Sequence, residues 1–198
     1  MRGLPDVRVD KDRLRRRAAA KRSKLRPLDL RDAAVALRAV LLSVAEVHRS
    51  AVVAVYVGVG TEPGTGPLLE SLACRGVRVL LPVLRRDADV DWGVYEGPDS
   101  LASAPLGLLE PVGRRLGVDA VATADAVLVP GLAADRTGMR LGRGGGSYDR
   151  VLSRIARDAF SCIVLHDGEL LDDVLPNEPH DRRVDAAATP SGLVRFPL

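Results

Sequence analysis

The sequence predicts an α/β fold: a three-layer α/β/α sandwich around a mainly parallel sheet, in a single domain spanning residues 1–198. Three observations carry that prediction. Apolar, β-branched runs alternate with amphipathic stretches along the chain, the pattern of strands joined by crossover helices. Most of those runs are apolar throughout, as in strands buried on both faces. A chain of 198 residues, 46% hydrophobic and 28% charged, is also long enough for one well-filled core and too apolar to be disordered.

In order along the chain, residues 8–26 read as a basic helix stopped by Pro27. "DLRDAAVALRAVLLSVAEV" then spaces Leu30, Ala34, Leu37, Leu41, Val44 and Val47 three or four apart, an amphipathic helix with Asp29 as its expected N-cap. "AVVAVYVGV" (51–59) reads as a buried strand, "GTEPGTG" as a turn, "PLLESLACRG" as a helix and "VRVLLPV" as a second buried strand. "VDWGVYEG" reads as an edge strand and "APLGLLEP" as irregular loop. "ADAVLVPGLA" restores a buried strand ending at Pro130, "SYDRVLSRIA" is a helix and "FSCIVL" a strand. "DVLPNEPHDRRVDAAATP" is loop passing into a short strand.

Composition excludes several classes. Two cysteines, Cys74 and Cys162, are too few for a disulfide framework and lack zinc-ligand spacing, so a reducing cytoplasm is the expected setting. No stretch approaches the roughly 18 apolar residues of a membrane span. The N-terminus is charged with no apolar run behind it, unlike a secretory signal, and Asp10 and Asp12 set it apart from an acid-poor transit peptide. Residues 8–26 carry ten Lys/Arg against two Asp, a local charge of +8 within a net of +3, which leaves the remainder at −5. An anionic partner is therefore met by one segment and not by the whole surface.

The chemistry-bearing stretch is "RLGRGGGSYDRVL" (140–152). Glycines let a backbone approach a ligand and turn its N–H groups inward, and a following helix adds the positive end of its dipole. No GK[ST] follows, so this is not a Walker A loop, and Ser147 stands where the dinucleotide fingerprint needs its third glycine. A flexible connection has no use for Arg140 and Arg143, whose guanidinium forks suit phosphate oxygens.

Other residues have two readings each. Asp149 is either a helix cap or, with Asp181 of "EPHDRR", a magnesium ligand on phosphates. Glu62, just beyond the first buried strand, is a surface turn residue or an acceptor for ring N–H groups of a substrate. Lys11 and Arg15 lie one above the other on a helix, either on a solvated basic face or on one that meets nucleic acid. His180 reads as solvent-facing, and His48 and His166 as lacking a nearby partner. With no G-x-S-x-G elbow and no Cys-His signature, nucleophilic catalysis has no candidate.

Read together, four stretches resemble the 5-formyltetrahydrofolate cyclo-ligase family. "VPGLAADRTGMRLGRGGGSYDRVL" is similar to its hallmark, "KDRLR" to its N-terminal ATP-contacting helix, "VGVGTEP" to its folate-contacting loop, and "LPNEPHDRRVDAAAT" to its C-terminal signature. The resemblance implies that Lys11, Arg15, Arg140, Leu141, Gly142, Arg143, Gly144, Gly145, Gly146, Ser147 and Tyr148 contact ATP. It implies that Val57, Glu62 and Tyr148 contact the folate and that Asp149 and Asp181 hold Mg²⁺. Arg143 and Tyr148 become the candidate catalytic residues. Ser147 departs from the family's usual aromatic, and Gly145 stands where some members have lysine.

The implied reaction converts 5-formyltetrahydrofolate and MgATP to 5,10-methenyltetrahydrofolate, ADP and phosphate. The expected partners are these small molecules, with no nucleic acid and no membrane, and the expected state is a monomer. Trp92, the single tryptophan, either lines the folate pocket or packs in the core. Two alternatives remain: a nucleic-acid-binding module built on residues 8–26, and another phosphate-binding α/β enzyme.

Overall fold

The computed structural model describes residues 7–197; the expected absence of a targeting signal rests partly on residues 1–6, outside that range. Helices α1 (Val7–Arg22), α2 (Pro27–Ser43) and α3 (Ala45–Arg49) precede strand β1 (Val52–Ala54). Helix α4 (Gly66–Cys74) leads into the hairpin β2 (Arg78–Leu84) and β3 (Val90–Val94), followed by a small ribbon of β4 (Leu101–Ser103) and β5 (Leu109–Pro111). Strands β6 (Ala126–Pro130), β7 (Ala133–Asp135) and β8 (Arg140–Leu141) come next, then helix α5 (Ser147–Arg154) and strands β9 (Phe160–Val164), β10 (Leu170–Leu171), β11 (Ala186–Thr189) and β12 (Gly192–Arg195).

The main sheet has the order β12-β11-β9-β6-β1-β2-β3. Its five inner strands pair in parallel, and the two edge strands, β12 and β3, run antiparallel. As the apolar runs require, both faces are covered. Leu37, Leu41, Leu68, Leu69 and Leu72 of α2 and α4 pack on one face, against Val53, Val79, Leu128 and Cys162. Val151 and Leu152 of α5, with Val121 and Ala124, pack on the other, against Leu80, Val127, Val129 and Ile163. This is the expected α/β/α sandwich with a mainly parallel sheet.

From β1 the chain passes to β2 on one side and later to β6 on the other. That reversal opens a crevice at the carboxyl ends of β1 and β6, where open α/β sheets bind ligands. A second sheet, β10-β7-β8, stands beside it. Leu14 and Ala18 of α1 pack on the small core of Leu132, Ala133, Met139, Leu141 and Leu175, which brings the basic helix against the same crevice.

Local details differ from expectation. Asp29 is the third residue of α2, not its cap; its carboxylate reaches back to the Arg26 N–H (3.3 Å) and guanidinium (2.7 and 2.9 Å). The amphipathic run breaks at Val44, which is extended and separates α2 from α3, yet Val44 and Val47 are both buried. The run 51–59 is regular strand only over Val52–Ala54, because the backbone beyond it curls into a loop knitted by its own side chains. "APLGLLEP" contains β5, and β7, β8, β10 and β12 had no signal of their own length. Among the described residues no helix is long and apolar enough to cross a membrane.

Candidate active site

The crevice holds a cavity of about 440 Å³. Every residue to which the resemblance assigns an ATP, folate or metal contact lines it: Lys11 and Arg15 of α1, Val57 and Glu62 after β1, residues 140–149, and Asp181. Fold topology thus gathers four segments that lie far apart in the chain.

One wall is cationic and glycine-rich. After β8 the backbone turns through Gly144 (φ +99°) and Gly146 (φ +68°), the latter being the left-handed residue that starts α5. An added Cβ at Gly144 would stand 3.2 Å from Arg15 Cζ, so the guanidinium would have to shift to admit it. The Arg15 guanidinium lies on the loop and donates from Nε to the Gly142 carbonyl at 3.0 Å. Ser147, in place of the family's aromatic, donates its hydroxyl to the Ala88 carbonyl at 2.7 Å and so pins the loop to the β2–β3 turn.

The charges of this wall are paired within the protein. Arg140, its side chain only 4% exposed, donates from NH2 to Asp149 Oδ1 at 2.6 Å. Burial pulls its guanidinium below the usual range, while Asp149 and Asp181 act the other way. Its buried Nε has no hydrogen-bond partner among the described residues, an unusual state for a buried polar atom. Lys11 Nζ donates to Asp181 Oδ2 at 2.6 Å and to Glu178 Oε2 at 3.0 Å. For Asp181 burial works upward, but Lys11 and the Glu178 N–H outweigh it and hold the carboxyl below its ordinary value. Lys11 and Arg15 therefore face inward, not onto a solvated face.

The opposite wall is apolar: Pro82, Leu84 and Val90 of the β2–β3 hairpin, with Leu106, Leu108 and Leu109. Leu106 is 80% exposed and left-handed (φ +63°), a strained, solvated apolar side chain of the kind that marks ligand clamps. Sequence reading missed this wall; its one local signal is the Leu-Gly-Leu-Leu run of residues 106–109. Trp92 is absent from the cavity and lies in the core at 1% exposure, which settles its two readings for packing.

Between the walls, Glu62 Oε1 pairs with Arg143 NH2 at 2.8 Å, and Oε2 accepts the Val59 N–H at 3.1 Å. Glu62 is nearly buried (10%) whereas Arg143 is 62% exposed. Burial, with the Glu62 carboxylate adding to it, raises the Tyr148 phenol, and Arg140 opposes. Tyr148 is thus a neutral hydrogen-bond donor at physiological pH and not a base. His180 is solvent-exposed as expected, at the rim beside Glu178 and Asp181. His166, expected to lack a partner, is buried with its ring against the Thr61 carbonyl; the partner is 105 positions away, beyond any sequence window.

Comparison with known proteins gives a consistent answer. Over 148 residues, covering 72% of this chain and 75% of the relative, the chain is 47% identical to 5-formyltetrahydrofolate cyclo-ligase of Mycolicibacterium smegmatis. The Escherichia coli K12 protein of the same name is 34% identical over 142 residues, covering 70% of this chain and 78% of its own. The structure of Aquifex aeolicus 5,10-methenyltetrahydrofolate synthetase superposes with a TM-score of 0.80 at 28% identity, covering 94% of this chain and 92% of that one. The model of the 5-formyltetrahydrofolate cyclo-ligase family matches residues 7–190, and the chain is an enzyme of that family.

Proposed function

We propose that residues 1–198 act as one domain, a cytoplasmic monomer that converts 5-formyltetrahydrofolate and ATP to 5,10-methenyltetrahydrofolate, ADP and phosphate. The observation that carries this reading is a single cavity with two unlike walls, one cationic and glycine-rich, the other apolar. A triphosphate suits the first and a flat heteroaromatic ring system the second.

The difficulty of the reaction is that a formamide oxygen leaves poorly. Its attack on the γ-phosphorus releases ADP and turns that oxygen into a phosphate ester. N10 of the folate then bonds to the formyl carbon and gives up its proton, and the C–O bond breaks to release phosphate. Such a sequence needs positioning and charge neutralisation more than a protein nucleophile. Arg140, Arg143, Lys11 and Arg15 neutralise the triphosphate, and the N–H groups of residues 141–147 cradle it. Arg143 must leave Glu62 to reach the phosphates, which frees Glu62 to accept ring N–H groups of the pterin. Val57 packs beside it, and neutral Tyr148 donates a hydrogen bond to the substrates.

Mg²⁺ on a triphosphate takes one or two carboxylates, with phosphates and water supplying the remaining positions. Asp149 and Asp181 fit that need. Hydrogen bonds to Asp149 converge on Oδ1, from Arg140 and the Arg182 N–H, and those to Asp181 on Oδ2, from Lys11 and the Glu178 N–H. Asp149 Oδ2 and Asp181 Oδ1 accept none from the described residues and are left for a cation. When bound, Mg²⁺ supplies charge neutralisation at the phosphate oxygens.

The nucleic-acid alternative loses support because Lys11, Arg15 and Arg22 point into the protein. The deciding experiment mixes purified protein with 5-formyltetrahydrofolate, ATP and Mg²⁺ and follows the near-ultraviolet band of the methenyl product. Growth of the band that requires ATP is the expected result. No band from folded protein with active folate overturns the reading and favours another phosphate-binding α/β enzyme.

A further inference from the structure

One buried ionic cluster lies behind the cavity and takes no part in lining it. Arg22, near the end of the first helix, donates from Nε to Glu169 Oε1 and from NH2 to Glu169 Oε2, both at 2.7 Å, and NH2 also reaches the Gly131 carbonyl at 2.6 Å. Glu169 Oε2 accepts the His166 backbone N–H at 2.8 Å. The His166 ring, 7% exposed, places Nε2 3.0 Å from the Thr61 carbonyl. A carbonyl only accepts, so this nitrogen carries the ring proton.

Three segments that line the cavity meet at this cluster. Helix α1 holds Lys11 and Arg15, Gly131 follows β6, and Thr61 precedes Glu62. The 57–65 loop is shaped from within: Thr65 Oγ1 donates to the Tyr56 carbonyl and accepts the Gly58 N–H, and the Tyr56 hydroxyl donates to the Pro63 carbonyl. Those bonds fix its form, whereas the His166 bond reaches it from the segment after β9, two strands away in the sheet order. A fully buried ion pair returns little net stability for its desolvation, so packing alone gives no reason for one here.

We infer that His166, braced by the Arg22–Glu169 pair, is a positioning residue for the folate site, holding Thr61 and thereby the Glu62 carboxylate at the cavity wall. This rests on the assignment of Glu62 to the pterin made above. A site residue held by a second layer of hydrogen bonds keeps its geometry before the ligand arrives.

The test uses the full chain and three variants. His166→Phe keeps a ring and removes the donor, His166→Asn is too short to reach Thr61, and His166→Gln restores an N–H at similar reach. Titration calorimetry gives the affinities of 5-formyltetrahydrofolate and MgATP separately, and amide hydrogen exchange of residues 59–63 is followed without ligand. Loss of one buried hydrogen bond should weaken folate binding about tenfold in the Phe and Asn variants. MgATP affinity stays unchanged, the loop amides exchange faster, and His166→Gln recovers both properties. The Asn variant carries the same expectation should the Phe variant fail to fold. Equal weakening of both ligands, or wild-type folate affinity and exchange in a variant lacking the donor, overturns the positioning role. Wild-type protein that binds no 5-formyltetrahydrofolate overturns the functional reading instead, and hydrogen exchange then decides alone whether His166 holds the loop.

Discussion

The two walls of the cavity are built on opposite principles. The glycine-rich wall is already neutralised from within: Arg140 by Asp149, Lys11 by Asp181 and Glu178, Arg143 by Glu62. On the proposed function a polyanion arriving there exchanges one set of charge partners for another: buried Arg140 and Lys11 are already ordered without ligand, and Arg143 is the cation that must move. The hairpin wall has no such substitute. Leu106 stands in water at 80% exposure, and on the proposed function its apolar surface is covered when the folate binds. On the proposed function the first wall acts on the transition state and the second on binding, and variants on the two sides should fail in different kinetic constants.

The largest effect is expected from Arg140→Ala. It removes a buried guanidinium and leaves Asp149 with its main-chain partner alone. Loss of a charge contact made chiefly in the transition state costs on the order of 3 kcal/mol, roughly 10²–10³ in kcat. Steady-state kinetics should show that loss with the affinity for 5-formyltetrahydrofolate unchanged; a change confined to the folate KM would erase the distinction between the walls.

The next effect is smaller and of the other kind. Leu106→Ser removes an apolar side chain that only a bound ligand buries. Burying a leucine is worth about 1.5 kcal/mol at the low end of the usual range, so the folate KM should rise about tenfold. Neither kcat nor the KM for ATP should move, and an equal loss in kcat would place Leu106 among the residues acting on the transition state.

The walls also differ in how far they could be read from the sequence. The glycine-rich wall was legible because its information is local: two arginines, four glycines and an aspartate within ten positions leave few uses besides an anion. The layering was legible too, since fully apolar runs belong in a sheet covered on both faces, whereas the strand order was not read from the sequence. The leucines of residues 106–109 were not, because an apolar residue in an irregular loop looks alike whether it meets core, ligand or water. His166 was invisible for a related reason, its partner Thr61 being brought to it by topology. Strands β7, β8 and β10 are two or three residues long, too short for any period, and owe their existence to neighbours distant in sequence. Trp92, paired with Pro82 on the same face of the hairpin, belongs to the core cluster of Leu80, Val121 and Ala124 and does not line the cavity.

The smallest effect concerns the junction between the walls. The β2–β3 turn belongs to the apolar side, yet it is fastened to α5 on the glycine-rich side. Asp89 accepts from Arg154 NH1 and NH2, both at 2.7 Å, and the Ala88 carbonyl accepts from Ser147 and Arg150. Hydrogen bonds from Arg154 lower the Asp89 carboxyl from 3.8 to about 2. A carboxyl depressed in the folded state stabilises the protein above its unfolded value, and that stabilisation is lost as pH falls from about 4 to about 2. Asp89→Asn should therefore lower the melting temperature at pH 7, with the gap to wild type narrowing through that acid window. Because the junction holds both walls and belongs to neither, kcat and the folate KM should shift together and slightly. The absence of any melting-temperature gap at pH 7 would show that the turn is held by the Ala88 carbonyl and not by the Asp89–Arg154 pair.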